Sequence, residues 1–366
     1  MARASSGLFQ SHYGRVGNFE LSVTNNSSTF SGASSGGLLT FWRDNDAGLV
    51  WRLAAVLTDY DSAGSGSGEF PVQVGQAYRF PCWVEGTDTA FHGVCVLGTT
   101  VHYFAKQPLG QWIARLPRPP RPGDPAFAIP AGSVPLPNNC SGAPAFLQSS
   151  FGTVGNFEVI VPVSEGGMSH FWVNNDSGLP GPPSSRSVVV SPAWQRGPHF
   201  GRGNLVEGVR LIHSDFGNLE VIALERTASG RELVCYWQNG PGGTWSAGTV
   251  LPESQQVGGQ PGFIQSSFQS VPGQGNLEVV APAADGGLMH WFSFLDSTGR
   301  VWRRAPDVNR RGTRVRTVHL IQSNFGGNFE VIAETGGTPY GYGTLQFYWR
   351  DSGSGTWSGP FRISPT

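Results

Sequence analysis

Charge is scarce in this chain. Only 13% of the 366 residues are Asp, Glu, Lys or Arg, and 24 basic residues against 25 acidic ones leave a net charge of −1. The basic footprint that neutralises phosphates is missing, which excludes a nucleic-acid partner. Long apolar runs are missing too: none approaches the ~18 residues a membrane span needs. Cysteine is limited to Cys82, Cys95, Cys140 and Cys235, with no C-x-x-C pair, so zinc and dithiol redox motifs are absent. If two bridges form, the four cysteines allow three pairings. Cys235 lies in an apolar, strand-like stretch and reads as a buried free thiol. Helical periodicity is absent, as are nucleotide and metal motifs, so no cofactor and no metal ion is expected.

A hydrophobic signal core is also missing from the opening MARASSGLFQ, so either none existed or it has been removed. Four N-x-S sequons, at Asn25, Asn26, Asn139 and Asn175, match glycosylation acceptors and point to the secretory pathway or a secreted protein.

What the chain does have is glycine (52), proline (27), phenylalanine (23) and tryptophan (12). Such a composition suits many short strands, tight turns and a bulky apolar core. Five segments share one pattern: LFQSHYGRVGNFELSV (8–23), FLQSSFGTVGNFEVIV (146–161), LIHSDFGNLEVIA (211–223), FIQSSFQSVPGQGNLEVVA (263–281) and LIQSNFGGNFEVIA (320–333). A second pattern follows each: LLTFWR (38–43), MSHFWV (168–173), LVCYWQ (233–238), LMHWFS (288–293) and LQFYWR (345–350). A sixth copy survives as TVHYFAK (100–106), after FHGVCVL, a degraded form of the first pattern. The second aromatics fall at Trp42, Phe104, Trp172, Trp237, Phe292 and Trp349, spaced 62, 68, 65, 55 and 57 residues apart. Further strands open on Trp51, Trp112, Trp245, Trp302 and Trp357. Four strands per unit and six units predict an all-β, six-bladed β-propeller in one domain, with blades near 7–57, 67–116, 143–193, 208–251, 260–306 and 317–364.

The recurring Glu20, Glu158, Glu220, Glu278 and Glu330 fall on strands covered by neighbouring blades. Buried carboxylates need partners, which repeated Ser, Gln or backbone N–H groups would supply. Five copies mark an inter-blade anchor, since chemistry needs one site. By the same reasoning His102, His170 and His290 are core histidines at positions where other blades carry Thr40, Cys235 or Phe347. RDNDAGLVW (43–51) resembles the Asp-box turn of sialidases, with no arginine triad beside it.

Function is sought where the copies diverge: in 58–70, 117–144, 191–208 and 306–317 between blades, and in 225–232 and 334–344 within them. In a propeller these connections share one face, so they direct Tyr60, Trp194, His199, Arg226, Tyr340 and Tyr342 towards one mouth. Aromatics with a few polar tips suit a small apolar or aromatic molecule.

The copies QSSFGTVGNFEVIVP…GGMSHFWVNND resemble, over nearly the whole chain, the repeat of a lectin-like β-propeller family that includes bacterial fucose-binding lectins. The family also holds fungal enzymes that catalyse an intermolecular hetero-Diels–Alder reaction, joining a tropolone-derived o-quinone methide to a humulene-type sesquiterpene. The resemblance implies two readings. As an enzyme, the chain would hold two apolar partners face to face without a cofactor. Tyr60 and Trp194 would bind them, and His199, Tyr340, Tyr342 and Arg226 would donate hydrogen bonds to the leaving hydroxyl and tropolone oxygens. As a lectin, it would bind fucose- or GlcNAc-type sugars at several equivalent sites between blades. The framework recurs while the loops do not, which favours one composite site and the enzyme. A glycoside hydrolase would need two carboxylates about 5–9.5 Å apart, with Asp59, Asp61, Glu225 and Asp285 as suppliers.

Overall fold

The computed structural model describes residues 3–4, 8–10, 18–24, 38–43, 51–57, 78–85, 91–97, 99–106, 139–177, 194–240, 242–297, 299–309, 314–324, 326–335 and 344–363. Among them there is no α-helix. Two three-residue 3₁₀ turns, Asn175–Ser177 and Ser254–Gln256, are the only helical elements. All else that is regular is strand, in six antiparallel sheets that follow one another along the chain.

The first sheet is Leu8–Gln10, Phe19–Thr24, Leu38–Arg43 and Trp51–Leu57. The second has three described strands, Tyr78–Glu85, Phe91–Leu97 and Thr100–Lys106. The third is Ala145–Gln148, Phe157–Pro162, Met168–Val173 and Gln195–Phe200. The fourth is Leu205–His213, Asn218–Thr227, Gly230–Asn239 and Thr249–Val250. Its first strand also carries Arg3–Ala4 on its free edge, so that sheet has five strands. The fifth is Gly262–Gln265, Leu277–Pro282, Leu288–Asp296 and Gly299–Arg304. The sixth is Val315–Gln322, Phe329–Thr335, Leu345–Arg350 and Trp357–Ile363.

Register confirms the alignment of the copies. Glu20, Glu158, Glu220, Glu278 and Glu330 stand opposite Trp42, Trp172, Trp237, Phe292 and Trp349. In the second sheet Gly93 faces Phe104, so the missing glutamate has become a glycine.

Apolar side chains alternate to both faces of each sheet and meet those of its neighbours. One buried cluster joins the second and third sheets, others join the third to the fourth, the fourth to the fifth and the fifth to the sixth. A fifth cluster brings Leu8, Phe19, Leu21 and Trp51 against Ile321, Ile332 and Ile363, so the last sheet packs on the first. First strands lie innermost and contact one another in succession around the ring.

The recurring Gln-Ser pair has a distinct task in each half. The serine hydroxyls of Ser149, Ser266 and Ser323 donate to the glutamates of their own sheets at 3.1, 3.1 and 3.3 Å. The glutamine oxygens reach back one sheet: the Asp215 N–H donates to Gln265 at 2.6 Å and the Ser267 N–H to Gln322 at 2.6 Å. The Asn324 N–H donates to Gln10 at 3.1 Å, and Gln10 Nε2 donates back to Asn324 Oδ1 at 2.6 Å, which ties the first sheet to the sixth. His213, standing where the others have Gln, meets the Ser150 hydroxyl at 3.2 Å. The glycine before N-[FL]-E is steric in the third and fifth sheets: at Gly155 (φ 90°) and Gly275 a Cβ would lie 2.2 Å from the carbonyl oxygens of Ser149 and Ser266.

A second seam runs ahead of the first strands. In SGAPAF and GGQPGF, Ala143 and Gln260 form parallel bridges to Gly208 and Thr317 of the next sheet.

Three expectations change here. The third sheet extends to Phe200, beyond the limit at 193, because a long connection delays its fourth strand. Trp194 immediately precedes that strand and is 6% exposed, packed with residues of the second and third sheets. It is the framework tryptophan of its sheet, equivalent to Trp51, Trp245, Trp302 and Trp357, and not a loop residue. Cys82, Cys140 and Cys235 are buried and in no disulfide, which removes the two-bridge pairings.

Candidate functional site

Four junctions between sheets carry the same elements: a signature Glu, the residue at the histidine position, the residue of the following third strand that faces the Phe or Leu before that sheet's own Glu, and that sheet's fourth-strand Trp. Between the third and fourth sheets these are Glu158, His170, Gln238 and Trp245. Between the fourth and fifth they are Glu220, Cys235, Ser293 and Trp302. Between the fifth and sixth they are Glu278, His290, Arg350 and Trp357, and between the sixth and first they are Glu330, Phe347, Arg43 and Trp51.

Three of these junctions are filled by the protein itself. At the first, the Phe200 ring lies parallel to Trp245, 4.1 Å between centroids and 6° between planes. At the second, Arg300 donates to Glu220 at 2.7 Å and lies over the Phe216 ring. Burial outweighs the arginine's attraction and pushes the Glu220 carboxyl up to about 7. At the sixth–first junction Arg43 is 4% exposed and sandwiched by Phe19 and Phe347, at 4.2 and 5.1 Å. Burial raises Glu330 to about 7 there, against the opposing pull of Arg43.

The fifth–sixth junction holds a cleft of about 340 Å³. Its floor is the Glu278 carboxylate, which accepts from the Ser266 hydroxyl at 3.1 Å and from His290 Nε2 at 2.8 Å. That contact places the imidazole proton on Nε2. The His290 ring meets Trp357 edge-on at 5.9 Å and Phe329 at 6.2 Å, which fixes its orientation. The Arg350 guanidinium lies over Phe268 at 5.2 Å, and its Nε donates to the Gly355 carbonyl at 3.1 Å. The Gly355 turn closes on Asp351 through a backbone bond of 2.9 Å. On the opposite side Arg304 donates to the carbonyls of His290 and Ala305 at 3.0 and 2.8 Å, holding the Ala305–Pro306 wall. Phe268, Phe292 and Trp357 supply the apolar surface. The cleft thus offers aromatic faces, a fixed carboxylate and a guanidinium, the groups that receive a polyol ring with one apolar side.

The mouth constellation does not assemble among the described residues. Tyr60, Tyr340 and Tyr342 lie outside them, as do Asn25 and Asn26. His199 is exposed and lies within the strand Gln195–Phe200, opposite Ser169. Arg226 is committed to Glu207, which it meets through Nε at 2.7 Å, and Arg231 binds the same carboxylate. No hydrogen bond or ion pair among the described residues joins His199 to Arg226. Asn175 is fully buried with its amide donating to the Gly155 carbonyl, so the folded chain has no room for a glycan there. Asn139 is bonded to the Glu165 carboxylate at 2.7 and 2.8 Å. Glu225 is fully buried, accepting from Tyr236 and Asn204, and is no open partner for a second carboxylate. Asp59 and Asp61 fall outside the described residues.

The cleft residues escaped notice because they belong to the framework. The signal was present at one position: the residues facing Phe19, Phe91, Phe157, Leu219, Leu277 and Phe329 run Arg43, Lys106, Val173, Gln238, Ser293 and Arg350. A position that varies from Val to Arg inside a recurring strand is where equivalent junctions acquire different chemistry.

No protein-family model and no curated protein sequence matches this chain. Solved structures do. The Aleuria aurantia lectin, described as a six-bladed β-propeller with a novel fucose recognition mode, is similar over 100% of this chain and 95% of its own, with 14% identity and a TM-score of 0.55. The BP39L lectin from Burkholderia pseudomallei is similar over 99% and 98%, with 15% identity and a TM-score of 0.53. The intramolecular trans-sialidase from Ruminococcus gnavus is similar over 98% and 96%, with 11% identity and a TM-score of 0.59. At such identities the likeness is one of architecture, and the chain shares the β-propeller fold of these lectins.

Proposed function

We propose that the chain is a six-bladed β-propeller with four strands in each blade, and that it binds a carbohydrate in the cleft between its fifth and sixth blades. The observation that carries this reading is the set Glu278–His290–Arg350–Trp357 around about 340 Å³ of space. An aromatic face stacks on the C–H side of a sugar ring, while carboxylate and guanidinium receive its hydroxyls in charge-assisted bonds. Fucose is the first ligand to try, since the Aleuria aurantia lectin is described with α-methyl-L-fucoside; GlcNAc is the second. Calorimetry should give about one site per chain, lost in Trp357→Ala. Absence of any heat with fucose, GlcNAc and a broad glycan array sinks the reading.

The same asymmetry favours a second reading. Among the described residues the junctions are filled differently, with an open cleft at the fifth–sixth, which suits a single-substrate enzyme better than a multivalent lectin. The intermolecular hetero-Diels–Alder reaction needs only shape, apolar walls and hydrogen-bond donors. Incubation with a tropolone alcohol and a humulene-type alkene should raise adduct yield and fix its stereochemistry; parity with the protein-free control removes it.

Passage through the secretory pathway rests on the sequons at Asn25, Asn26 and Asn139. A mobility shift on glycosidase digestion of the native protein tests it, and no shift argues against it.

A further inference from the structure

His170 and His290 are held alike at one ring nitrogen and differ at the other. Each directs Nε2 at the glutamate of its own sheet, at 2.8 Å. A carboxylate only accepts, so Nε2 carries the hydrogen and the neutral ring has its lone pair on Nδ1. His170 Nδ1 is buried with no partner, and a Cβ at Gly197 of the facing strand would lie 3.0 Å from it. His290 lines the cleft instead; its Nδ1 escapes that burial, and no described residue bonds to it.

The fourth strands account for the difference. In the third sheet the pairs Phe171–Arg196 and Ser169–His199 enclose His170 on one side and Gly197 and Pro198 on the other, one residue in excess. In the fifth sheet the pairs Trp291–Arg304 and Leu288–Asn309 enclose Met289 and His290 against Ala305, Pro306, Asp307 and Val308, two in excess. A wider bulge re-aims the strand at that point. Ala305 and Pro306 become cleft wall and leave the ring nitrogen uncovered. Arg304 braces the bulge, donating to the carbonyls of His290 and Ala305 and to the Asp307 carboxylate.

We propose that His290 is the specificity-determining residue of this cleft: its Nδ1 accepts a hydrogen bond from one hydroxyl of the bound sugar, and Glu278 is the residue that positions it. This rests on the carbohydrate reading of the cleft and adds which sugars it takes. The ligand class is a sugar whose apolar face lies on the aromatic surface and whose neighbouring hydroxyl donates its hydrogen to the imidazole. A ligand with no donor at that position leaves the lone pair desolvated and unpaired, which a site built for a hydroxyl rejects strongly. Arg350 cannot take this role, because a guanidinium only donates.

The experiment is calorimetry of the full chain with the methyl glycoside of fucose or GlcNAc, whichever binds, and with each of its monodeoxy and monodeoxyfluoro analogues. Fluorine fills the place of a hydroxyl and cannot donate. In the wild type one position should lose about tenfold or more in affinity on deoxygenation, and as much on fluorination. His290→Phe keeps a ring against Trp357 and Phe329, and in it the penalty at that position should vanish while the others stay. Glu278→Gln keeps the shape: with its amide oxygen on the Ser266 hydroxyl, its NH2 donates to Nε2 and the ring hydrogen moves to Nδ1. The acceptor becomes a donor, so fluorination at that position should no longer be penalised, whereas a purely structural glutamate would weaken every analogue alike. That variant decides the matter if His290→Phe does not fold. A flat response across the wild-type series, or an unchanged penalty in His290→Phe or Glu278→Gln, overturns the proposal and leaves the sugar site standing. Absence of binding by any sugar removes the carbohydrate reading and this selectivity with it.

Discussion

The third–fourth and fifth–sixth junctions start from the same parts and end differently. Both have Ser–Glu–His chains of the same dimensions, 3.1 Å from serine to glutamate and 2.8 Å from glutamate to histidine. In both the histidine meets a tryptophan of the next sheet edge-on, at 5.7 and 5.9 Å. What differs is the residue paired with the start of the third strand. Phe200 faces Met168 in one junction, and Asn309 faces Leu288 in the other. The phenylalanine lies flat on Trp245, while the face of Trp357 is left to the cleft. One side chain on a fourth strand therefore covers the tryptophan of one junction and has no counterpart on that of the other.

Removing that side chain is the strongest way to break the comparison. Phe200→Ala should cost about 2–4 kcal/mol of stability, read by denaturant unfolding. It should also raise ligand stoichiometry from about one to two per chain if Trp245 is an equivalent platform. Two sites of similar affinity would show that Phe200 alone closes the junction. One site with the expected destabilisation would assign the difference to Gln238 standing where Arg350 does.

The converse substitution acts on the open junction. Trp357→Ala and Arg350→Ala should each weaken binding tenfold or more, roughly 1.4 kcal/mol upwards, while Gln238→Ala leaves it unchanged. Equal effects at the two junctions would remove the asymmetry altogether.

A smaller effect separates the histidine junctions from the arginine ones through pH. Glu220 and Glu330 have folded pKa values raised to about 7 from 4.5 by burial. Below pH 4.5 each is neutral in both states, and its favourable contribution is complete. Between 4.5 and 7 the unfolded chain ionises first and binds fewer protons than the folded one, so stability falls as pH rises. Above 7 the loss is constant. Glu220→Gln and Glu330→Gln should match the wild type near pH 4 and exceed it by roughly 1–3 kcal/mol each near pH 8. A difference that stays flat from pH 4 to 8 would mean that Arg300 and Arg43 hold these carboxylates ionised throughout.

These comparisons also mark how far the sequence could be read. The sheets were legible because a glutamate, a Gly-Asn turn and an aromatic pair recur in one order, each with a steric or hydrogen-bonding cause. Gly155, for instance, has no room for a Cβ beside Ser149. The glutamates were legible as anchors for the same reason. The cleft was not, because its members are spread over four strands of two sheets and each looks like framework by itself. Trp194 went astray through spacing: the long connection after Val173 hid that it opens a fourth strand. The variable position lies inside a regular strand, where recurrence of the flanking aromatics masks its variation.

The smallest effect concerns how the ring closes. Between successive sheets the covalent chain already enforces proximity, whereas among the described residues the sixth and first meet through side-chain and apolar contacts. Gln322 and Gln10 perform the same reach, to the N–H of Ser267 and of Asn324. Each bond is worth about 1 kcal/mol. Gln322→Ala also loses the bonds from its Nε2 to the Ser267 hydroxyl at 2.9 Å and the Gly327 carbonyl at 2.8 Å and should cost up to about 3 kcal/mol, with a single cooperative transition. Gln10→Ala also loses the return bond to Asn324 and should cost up to about 2 kcal/mol. Because no chain spans that seam, the loss should appear as earlier amide exchange in Phe19–Thr24 and Phe329–Thr335 than in the third and fourth sheets. Uniform exchange around the ring would mean that the Leu8–Ile321–Ile332 packing, and not the glutamine latch, holds the seam.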